Sequence, residues 1–348
     1  MLPITAVFIE LRGVPVQTEH LSEIYFFDTI FLVGGIMKRV VFMGTPQFAV
    51  PPLERLVANG YEVLAVYTQP DRPAGRGRSL AVPAVKQAAL ALGIPVIQPP
   101  DLKTDEAIRQ LADLKPDLIV ICAYGQILSQ AVLDIPPRQC VNIHFSLLPR
   151  HRGASPVAAA ILAGDEFTGV SIQLVRKKLD TGPLLISGAV SIGPKDNTGS
   201  LMEKLSLVGA GLLLEGVGGW LRGEITPRDQ DETGVTYFSQ IEKSEGEIDW
   251  NLAAVEIWRR IRAFTPWPGT YTWWQGEKLN INEARALPDE KSTQVGQVIT
   301  LLGEEDIGIG TGDGILAVSK VKMAGKREMT AAEFSRGQRD FINSVLPN

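Results

Sequence analysis

From residue 38 onward the chain alternates short apolar runs with segments whose apolar residues recur at helical spacing, and this alternation restricts the fold more than any other feature. RVVFM (39–43) is a run of the kind a strand shows when both its faces are covered. FAVPPLERLVANG (48–60) carries apolar residues at helical intervals and closes on Gly60, a natural helix stop. The unit repeats through EVLAVYT (62–68), PAVKQAALALG (83–93), IPVIQP (94–99), DEAIRQLADLK (105–115) and PDLIVICAYG (116–125). CVNIHF (140–145) and TGVSIQLV (168–175) add strands, and SLMEKLSLVGAGLLLEGVGGWL (200–221) adds a long helix. Such a chain is α/β, with a Rossmann-like, doubly wound and mostly parallel sheet. The first turn, Gly44-Thr45-Pro46-Gln47-Phe48-Ala49, lacks the GxGxxG dinucleotide fingerprint, so Asp71 has no claim to bind a ribose. Ligands of such sheets sit beyond the carboxyl ends of the strands, which points to the segments after AYG and after NIH.

The character changes later. Residues 223–245 are polar and turn-rich and read as a linker. After one more helix (252–264) come short, glycine-punctuated, strand-like runs at 267–287, 296–302 and 307–323, which predict a small C-terminal β-barrel of OB-like type. The expected domains are therefore 37–222, catalytic; 223–245, linker; and 246–348, the barrel. Residues 1–36 are expected to be a non-native or disordered leader, because Met37 opens MKRVVFMGTP, the natural start of a first strand. The leader's apolar stretch contains Asp28 and is shorter than the ~20 residues a span needs. It also has no basic n-region of a signal peptide. A cytoplasmic protein, with no membrane partner and monomeric, is expected.

Cys122 and Cys140 both lie in apolar runs and read as buried, reduced thiols. His20, His144 and His151 form no cluster of zinc-ligand spacing, so no metal is expected. The formal net charge of −5 runs against nucleic-acid binding. Screening within about 10 Å nevertheless lets a local basic patch act on its own. Two such patches exist: Thr68–Arg78, with Arg72, Arg76 and Arg78 in a loop forced by prolines and glycines, and the stretch holding Lys320, Lys322, Lys326 and Arg327.

In CVNIHF, strand alternation points Asn142 and His144 the same way, at the end of an expected central strand. An amide and an imidazole there suit a developing oxyanion. The same pair alone would equally mark a polar strand end. Asp180 lies in the turn Leu179-Asp180-Thr181-Gly182; an aspartic protease would need a second such triplet, and there is none. A carboxylate beside His144 would orient the ring and manage a proton. No serine or cysteine is placed by a motif as a nucleophile, and Ser146 reads as a loop-former.

GTPxFA (44–49), TQPDRPAGRG (68–77), AYG (123–125), NIHFSLLPRHRG (142–153) and LDTG (179–182) occur in order. Together they resemble the formyltransferase family that uses 10-formyltetrahydrofolate, over essentially all of residues 38–348. The resemblance implies Asn142, His144 and Asp180 as the catalytic trio. It implies a folate pocket at Ser146, Leu147, Leu148, Pro149, Phe48, Ala123, Tyr124, Gly125, Ile127 and Leu128. It implies 10-formyltetrahydrofolate as co-substrate and direct formyl transfer to an amine. The Thr68–Arg78 loop further resembles the branch whose acceptor is methionyl-initiator tRNA, gripped at the acceptor stem. A glycinamide ribonucleotide enzyme has one domain, so the C-terminal hundred residues argue against it; an amino-sugar formyltransferase and a non-catalytic nucleic-acid-binding protein remain the rivals. One departure stands out: where the family usually has an acidic residue and glycine before LDTG, this chain has Val175-Arg176-Lys177-Lys178.

Overall fold

A computed structural model describes residues 7–9, 38–74, 79–291, 294–301 and 306–347. The strands of the first part of the chain are β1 (Val7–Ile9), β2 (Arg39–Gly44), β3 (Glu62–Tyr67), β4 (Arg72–Ala74), β5 (Ser79–Ala81), β6 (Val96–Ile97), β7 (Leu118–Cys122), β8 (Cys140–His144), β9 (Arg152–Gly153), β10 (Phe167–Leu174), β11 (Leu184–Ser191) and β12 (Tyr237–Phe238). Its helices are α1 (Val50–Ala58), α2 (Ala84–Ala91), α3 (Asp105–Asp113), α4 (Gln130–Leu133), α5 (Pro156–Ala163) and α6 (Thr198–Arg222). By contacts the chain divides into two units. One runs up to Pro156 and adds Phe167–Ser191 and Met202–Phe238; the other takes Val157–Glu166, Ile192–Leu201 and everything from Ser239.

The first unit is built on an eight-stranded sheet in the order β1-β11-β10-β8-β7-β2-β3-β6. β8, β7, β2, β3 and β6 are parallel, as the alternating pattern predicts. β10, β11 and β1 extend it antiparallel. The parallel strands are continuous apolar runs because both faces are covered: Val40, Val41, Phe42, Met43 and Leu118 through Val120 are buried completely. α6 is long and apolar enough to cross a membrane by length and composition. Most of its apolar stretch is buried against the sheet. Its glycines permit that closeness, since a Cβ at Gly216 would stand 2.8 Å from Ile186 and one at Gly209 3.2 Å from Ile143. The stretch expected as a linker carries structure through residue 238, where β12 pairs in parallel with β9. Three residues of the expected leader form β1, paired with β11.

The second unit contains α7 (Ala254–Ala263), β13 (Thr270–Trp274), β14 (Glu277–Leu287), β15 (Val298–Thr300), β16 (Ile307–Gly310), β17 (Ile315–Met323), β18 (Met329–Thr330) and α8 (Ala331–Gly337). The strands form an antiparallel half-barrel in the order β13-β14-β17-β16-β15, with β18 beside β17. The β14–β17 register shifts between Ile281 and Ala284, the kind of irregularity that bends a strand. Its core centres on Trp274, packed edge-on against Phe334 at 5.4 Å and Phe341 at 5.6 Å.

Candidate active site

In the first unit the winding direction reverses between β2 and β7, with β3 and β6 on one side and β7 and β8 on the other. The carboxyl ends of those strands open the crevice where ligands of such sheets bind. Thr45 ties the ends together: its hydroxyl donates to the Tyr124 carbonyl (2.9 Å) and accepts from the Gln69 amide (3.2 Å). His144 ends β8 beside this crevice. In the β8–β10 ladder Asn142 lies opposite Gln173 and His144 opposite Ser171, so four polar side chains share one face.

His144 is buried, and its Nε2 lies 3.0 Å from the His151 carbonyl oxygen. A carbonyl only accepts, so Nε2 carries the hydrogen. The neutral ring then presents a lone pair at Nδ1, which faces Asp180 Oδ1 at 3.6 Å, beyond hydrogen-bond length. Burial lowers the His144 pKa, outweighing the Asp180 carboxylate and the His151 carbonyl, which act to raise it. The resting ring is therefore neutral at pH 7. Asp180 is itself held by two donors: the Gly153 amide to Oδ2 (2.9 Å) and the Gln173 side-chain amide to Oδ1 (3.0 Å). The half-buried Asn142 amide has no hydrogen-bond partner among the described residues, so its donors are free for a ligand. The expected trio thus comes together, with Asn142 and His144 on one strand and Asp180 facing the histidine from the turn after β10.

The local backbone is unusual where these groups meet. Ala123, His151 and Asp180 have φ of +50°, +56° and +53°. Left-handed non-glycine residues of this kind gather at functional sites. Gly182 explains the last residue of LDTG, since a Cβ there would fall 1.5 Å from the Leu174 carbonyl oxygen.

Sequence reasoning missed a set of supporting side chains. Gln173 holds Asp180, and Gln230 donates to the carbonyls of Asp180 (2.9 Å) and Gly182 (2.8 Å). Arg152 is wholly buried and reaches Gln230, Glu232 and Tyr237. Gln173 had a legible signal, since it and Ser171 are polar residues at period 2 in the apolar second half of β10. Gln230 and Glu232 had none.

The proposed folate residues divide by environment. Ser146 is buried, donates to the Arg150 carbonyl at 2.7 Å and has its own carbonyl bound by Ser171, which makes it a loop-former. Leu148 is buried and held through its amide by Ser171, while Leu147 and Pro149 are half-buried. Phe48 is half-buried and stacks edge-on with Phe145 at 5.3 Å. Tyr124 is buried, Leu128 half-buried, and Ala123 and Gly125 are exposed. Ile127 is 78 % exposed, an apolar side chain left in the open next to the crevice. The amides of Gly125 to Leu128 donate no hydrogen bond among the described residues. An exposed aliphatic group beside free backbone amides fits a flat heteroaromatic ring with polar edges.

Of the basic loop, Arg72 is exposed and donates to Gln69 at 3.1 Å; Arg76 and Arg78 lie outside the described residues. Its flanks, β4 and β5, pair antiparallel. Asp71 is held by Lys86 (2.7 Å) and Gln98 (2.8 Å), so it anchors this loop. The hydrogen bonds from Gln98 and Lys86 keep its carboxyl below the usual range. Arg176, Lys177 and Lys178 are exposed. In the second unit Lys320 is paired with Glu283 at 2.7 Å, which reduces its availability, while Lys322, Lys326 and Arg327 are exposed. Both cysteines are buried, and burial raises their pKa, to about 12 for Cys140. Among the described residues no group of three His, Cys, Asp or Glu is arranged to hold a metal.

Comparison with known proteins agrees with this geometry. The profile of the family described as formyl transferase matches residues 37–217, and that of the formyl transferase C-terminal domain matches residues 240–339. The methionyl-tRNA formyltransferase of Roseiflexus castenholzii is 48 % identical over 302 residues, 86 % of this chain and 96 % of that protein. That of Bacillus pumilus is 45 % identical over 312 residues, 89 % of this chain and 98 % of that protein. Among solved structures, an N-formyltransferase from Helicobacter canadensis in complex with folinic acid and dTDP-3-aminofucose aligns with a TM-score of 0.62 at 19 % identity, covering 84 % of this chain and all of that one. HypX from Aquifex aeolicus in complex with tetrahydrofolic acid aligns at 0.59 and 18 % identity, covering 89 % of this chain and 48 % of that one. At such identities the structures speak for the fold alone. The two family profiles and the near full-length relatives settle the membership: this chain belongs to the formyl transferase family, among the methionyl-tRNA formyltransferases.

Proposed function

We propose that this protein transfers the formyl group of 10-formyltetrahydrofolate to the amine of methionine esterified to initiator tRNA, as a cytoplasmic monomer that uses no metal. The observation that carries the reading is the free Asn142 amide beside a neutral His144 whose only unoccupied edge, Nδ1, faces Asp180. The relatives' shared name supports the choice of acceptor. Residues 37–222 carry the chemistry and 246–348 hold the tRNA backbone, through Lys322, Lys326 and Arg327, with Lys320 at the edge. Arg72, Arg76 and Arg78 meet the acceptor stem. Ser146, Leu147, Leu148, Pro149, Phe48, Ala123, Tyr124, Gly125, Ile127 and Leu128 form the folate pocket.

Asn142 donates to the oxyanion that develops on the formyl oxygen as the amine attacks the formyl carbon. His144 accepts the amine proton at Nδ1, the edge its tautomer leaves free, and Asp180 stabilises the imidazolium that results. The new C–N bond forms, the bond from the formyl carbon to N10 breaks, and His144 returns its proton to N10. The products are the formylated amine and tetrahydrofolate. No covalent enzyme intermediate is needed, consistent with Ser146 being committed to its loop. Single-turnover transfer from formyl-labelled 10-formyltetrahydrofolate tests this. Label should pass to methionyl-tRNA with none trapped on protein by acid quench; protein-bound label on the reaction path would overturn direct transfer.

A further inference from the structure

Residues 151–153 touch both members of the His144–Asp180 pair. The His151 carbonyl accepts from His144 Nε2, and the Gly153 amide donates to Asp180 Oδ2. Between them Arg152 is buried completely and makes five hydrogen bonds: two to Gln230 Oε1 (3.1 and 2.8 Å), two to Glu232 (2.8 and 3.4 Å) and one to the Tyr237 hydroxyl (3.2 Å). The backbone is clamped as well. The Arg152 amide donates to the Thr236 carbonyl (2.9 Å), the His151 amide to the Thr236 hydroxyl (2.8 Å) and the Ala154 amide to the Phe238 carbonyl (3.1 Å). Gly153 has φ +115°, and a Cβ there would fall 2.2 Å from the Phe238 carbonyl oxygen, so only glycine allows this closeness. Gln230 connects both sides. Its oxygen accepts from Arg152, and its amide donates to the carbonyls of Asp180 and Gly182.

We propose that Arg152 and Gln230 are positioning residues for formyl transfer: through the 151–153 segment and the Asp180–Gly182 turn they fix the His144 tautomer and the distance between Nδ1 and the Asp180 carboxylate. The proposal rests on the reading above, in which Nδ1 accepts the proton. The polar segment 224–238 thereby becomes part of the catalytic apparatus. Its composition resembles a linker's because its hydrogen-bond partners lie 50 and 80 residues away, at Asp180 and Arg152. A buried arginine paired with a carboxylate is an ordinary way to hold a loop, so a loss of stability alone would not distinguish a catalytic role.

Gln230→Glu separates the two. The new carboxylate still accepts from Arg152, so the clamp is retained, but it turns acceptors toward the Asp180 and Gly182 carbonyls and adds a negative charge behind the pair. Displacements approaching 1 Å at a reacting group cost roughly 10²-fold. We expect kcat to fall by ~10–10² with KM for methionyl-tRNA within about 3-fold, and the acid limb of the pH–rate profile to move upward. Arg152→Lys should lose kcat similarly, and Gln230→Asn, which keeps an amide on a shorter arm, should recover part of it. A second readout needs no turnover: the chain has three histidines, and ¹⁵N NMR should find one locked as the Nε2–H tautomer in the wild type, with a raised titration midpoint in Gln230→Glu. Wild-type kcat and an unmoved histidine in Gln230→Glu would overturn the proposal. So would a loss that disappears when activity is measured well below the variant's Tm. A wild-type protein that fails to formylate methionyl-tRNA overturns the underlying reading instead, and the positioning role with it.

Discussion

Asp180→Asn isolates the charge at the centre of the mechanism. Asparagine keeps the shape and tolerates the left-handed φ of +53° at this position, so the turn should survive. Its side-chain oxygen can still accept from the Gly153 amide, which preserves one of the two hydrogen bonds that hold the wild-type carboxylate. What disappears is the negative charge 3.6 Å from His144 Nδ1. Both side chains are nearly enclosed, 6 % and 7 % exposed, so water screens them little. With an effective dielectric of about 20, opposite unit charges at that distance attract by roughly 4–5 kcal/mol. That attraction exists only once the ring is protonated, so its loss falls on the step rather than on substrate binding. At about 1.4 kcal/mol per decade, kcat should drop on the order of 10³-fold, with KM nearly unchanged. The acid limb should also move further down, because Asp180 acts to raise the His144 pKa. Single-turnover formylation under saturating methionyl-tRNA and formyl folate measures this, with thermal unfolding as the control for folding. A well-folded Asp180→Asn protein within about 3-fold of wild-type kcat would refute the role given to the carboxylate.

Further outcomes follow from the same geometry. His144 has a depressed pKa, so its contribution to stability is complete above the usual histidine value of 6.5 and is lost as pH falls toward the folded value. Chemical unfolding should show a slope of up to about 1.4 kcal/mol per pH unit below pH 6.5 that His144→Gln removes; a slope left unchanged by His144→Gln would contradict a neutral resting ring. Asn142→Ala should lower kcat on the order of 10²–10³-fold with folate binding kept, and wild-type turnover would remove Asn142 from the mechanism. Replacing Lys322, Lys326 and Arg327 together by alanine should reduce the salt dependence of tRNA affinity by about 2–3 in log–log slope; an unchanged slope would assign tRNA contact elsewhere.

The parallel half of the sheet was legible because strands covered on both faces must be apolar throughout, as in VVFM of β2 and LIVIC of β7. Asn142 and His144 were legible because period-2 alternation places them on one face, whereas Asp180 stood out only through the resemblance carried by LDTG, whose glycine leaves no room for a side chain in the structure. β11 was missed as a strand: Ser187, Gly188 and Ser191 interrupt its apolar residues, and it lies between β10 and β1 rather than in the parallel core. Arg152 received no role from the sequence, because nothing local shows that Gln230, Glu232 and Tyr237 return to enclose it. Lys320 counted toward a basic patch until β14 brought Glu283 against it. Each of these depends on partners far along the chain, which local pattern does not carry.

One assay decides the acceptor. The full chain is supplied with 10-formyltetrahydrofolate and, in parallel, with methionyl-tRNA, glycinamide ribonucleotide and a nucleotide-linked amino sugar, and kcat/KM is compared. Methionyl-tRNA should exceed both small acceptors by on the order of 10³ or more, because only a nucleic acid can use the contacts proposed for Arg72, Arg76 and Arg78. Arg76→Ala should lower that value roughly tenfold or more while leaving a stemless methionyl ester almost unaffected. Preferred formylation of the amino sugar, with methionyl-tRNA turned over no faster than the stemless ester, would rule out methionyl-tRNA as the acceptor.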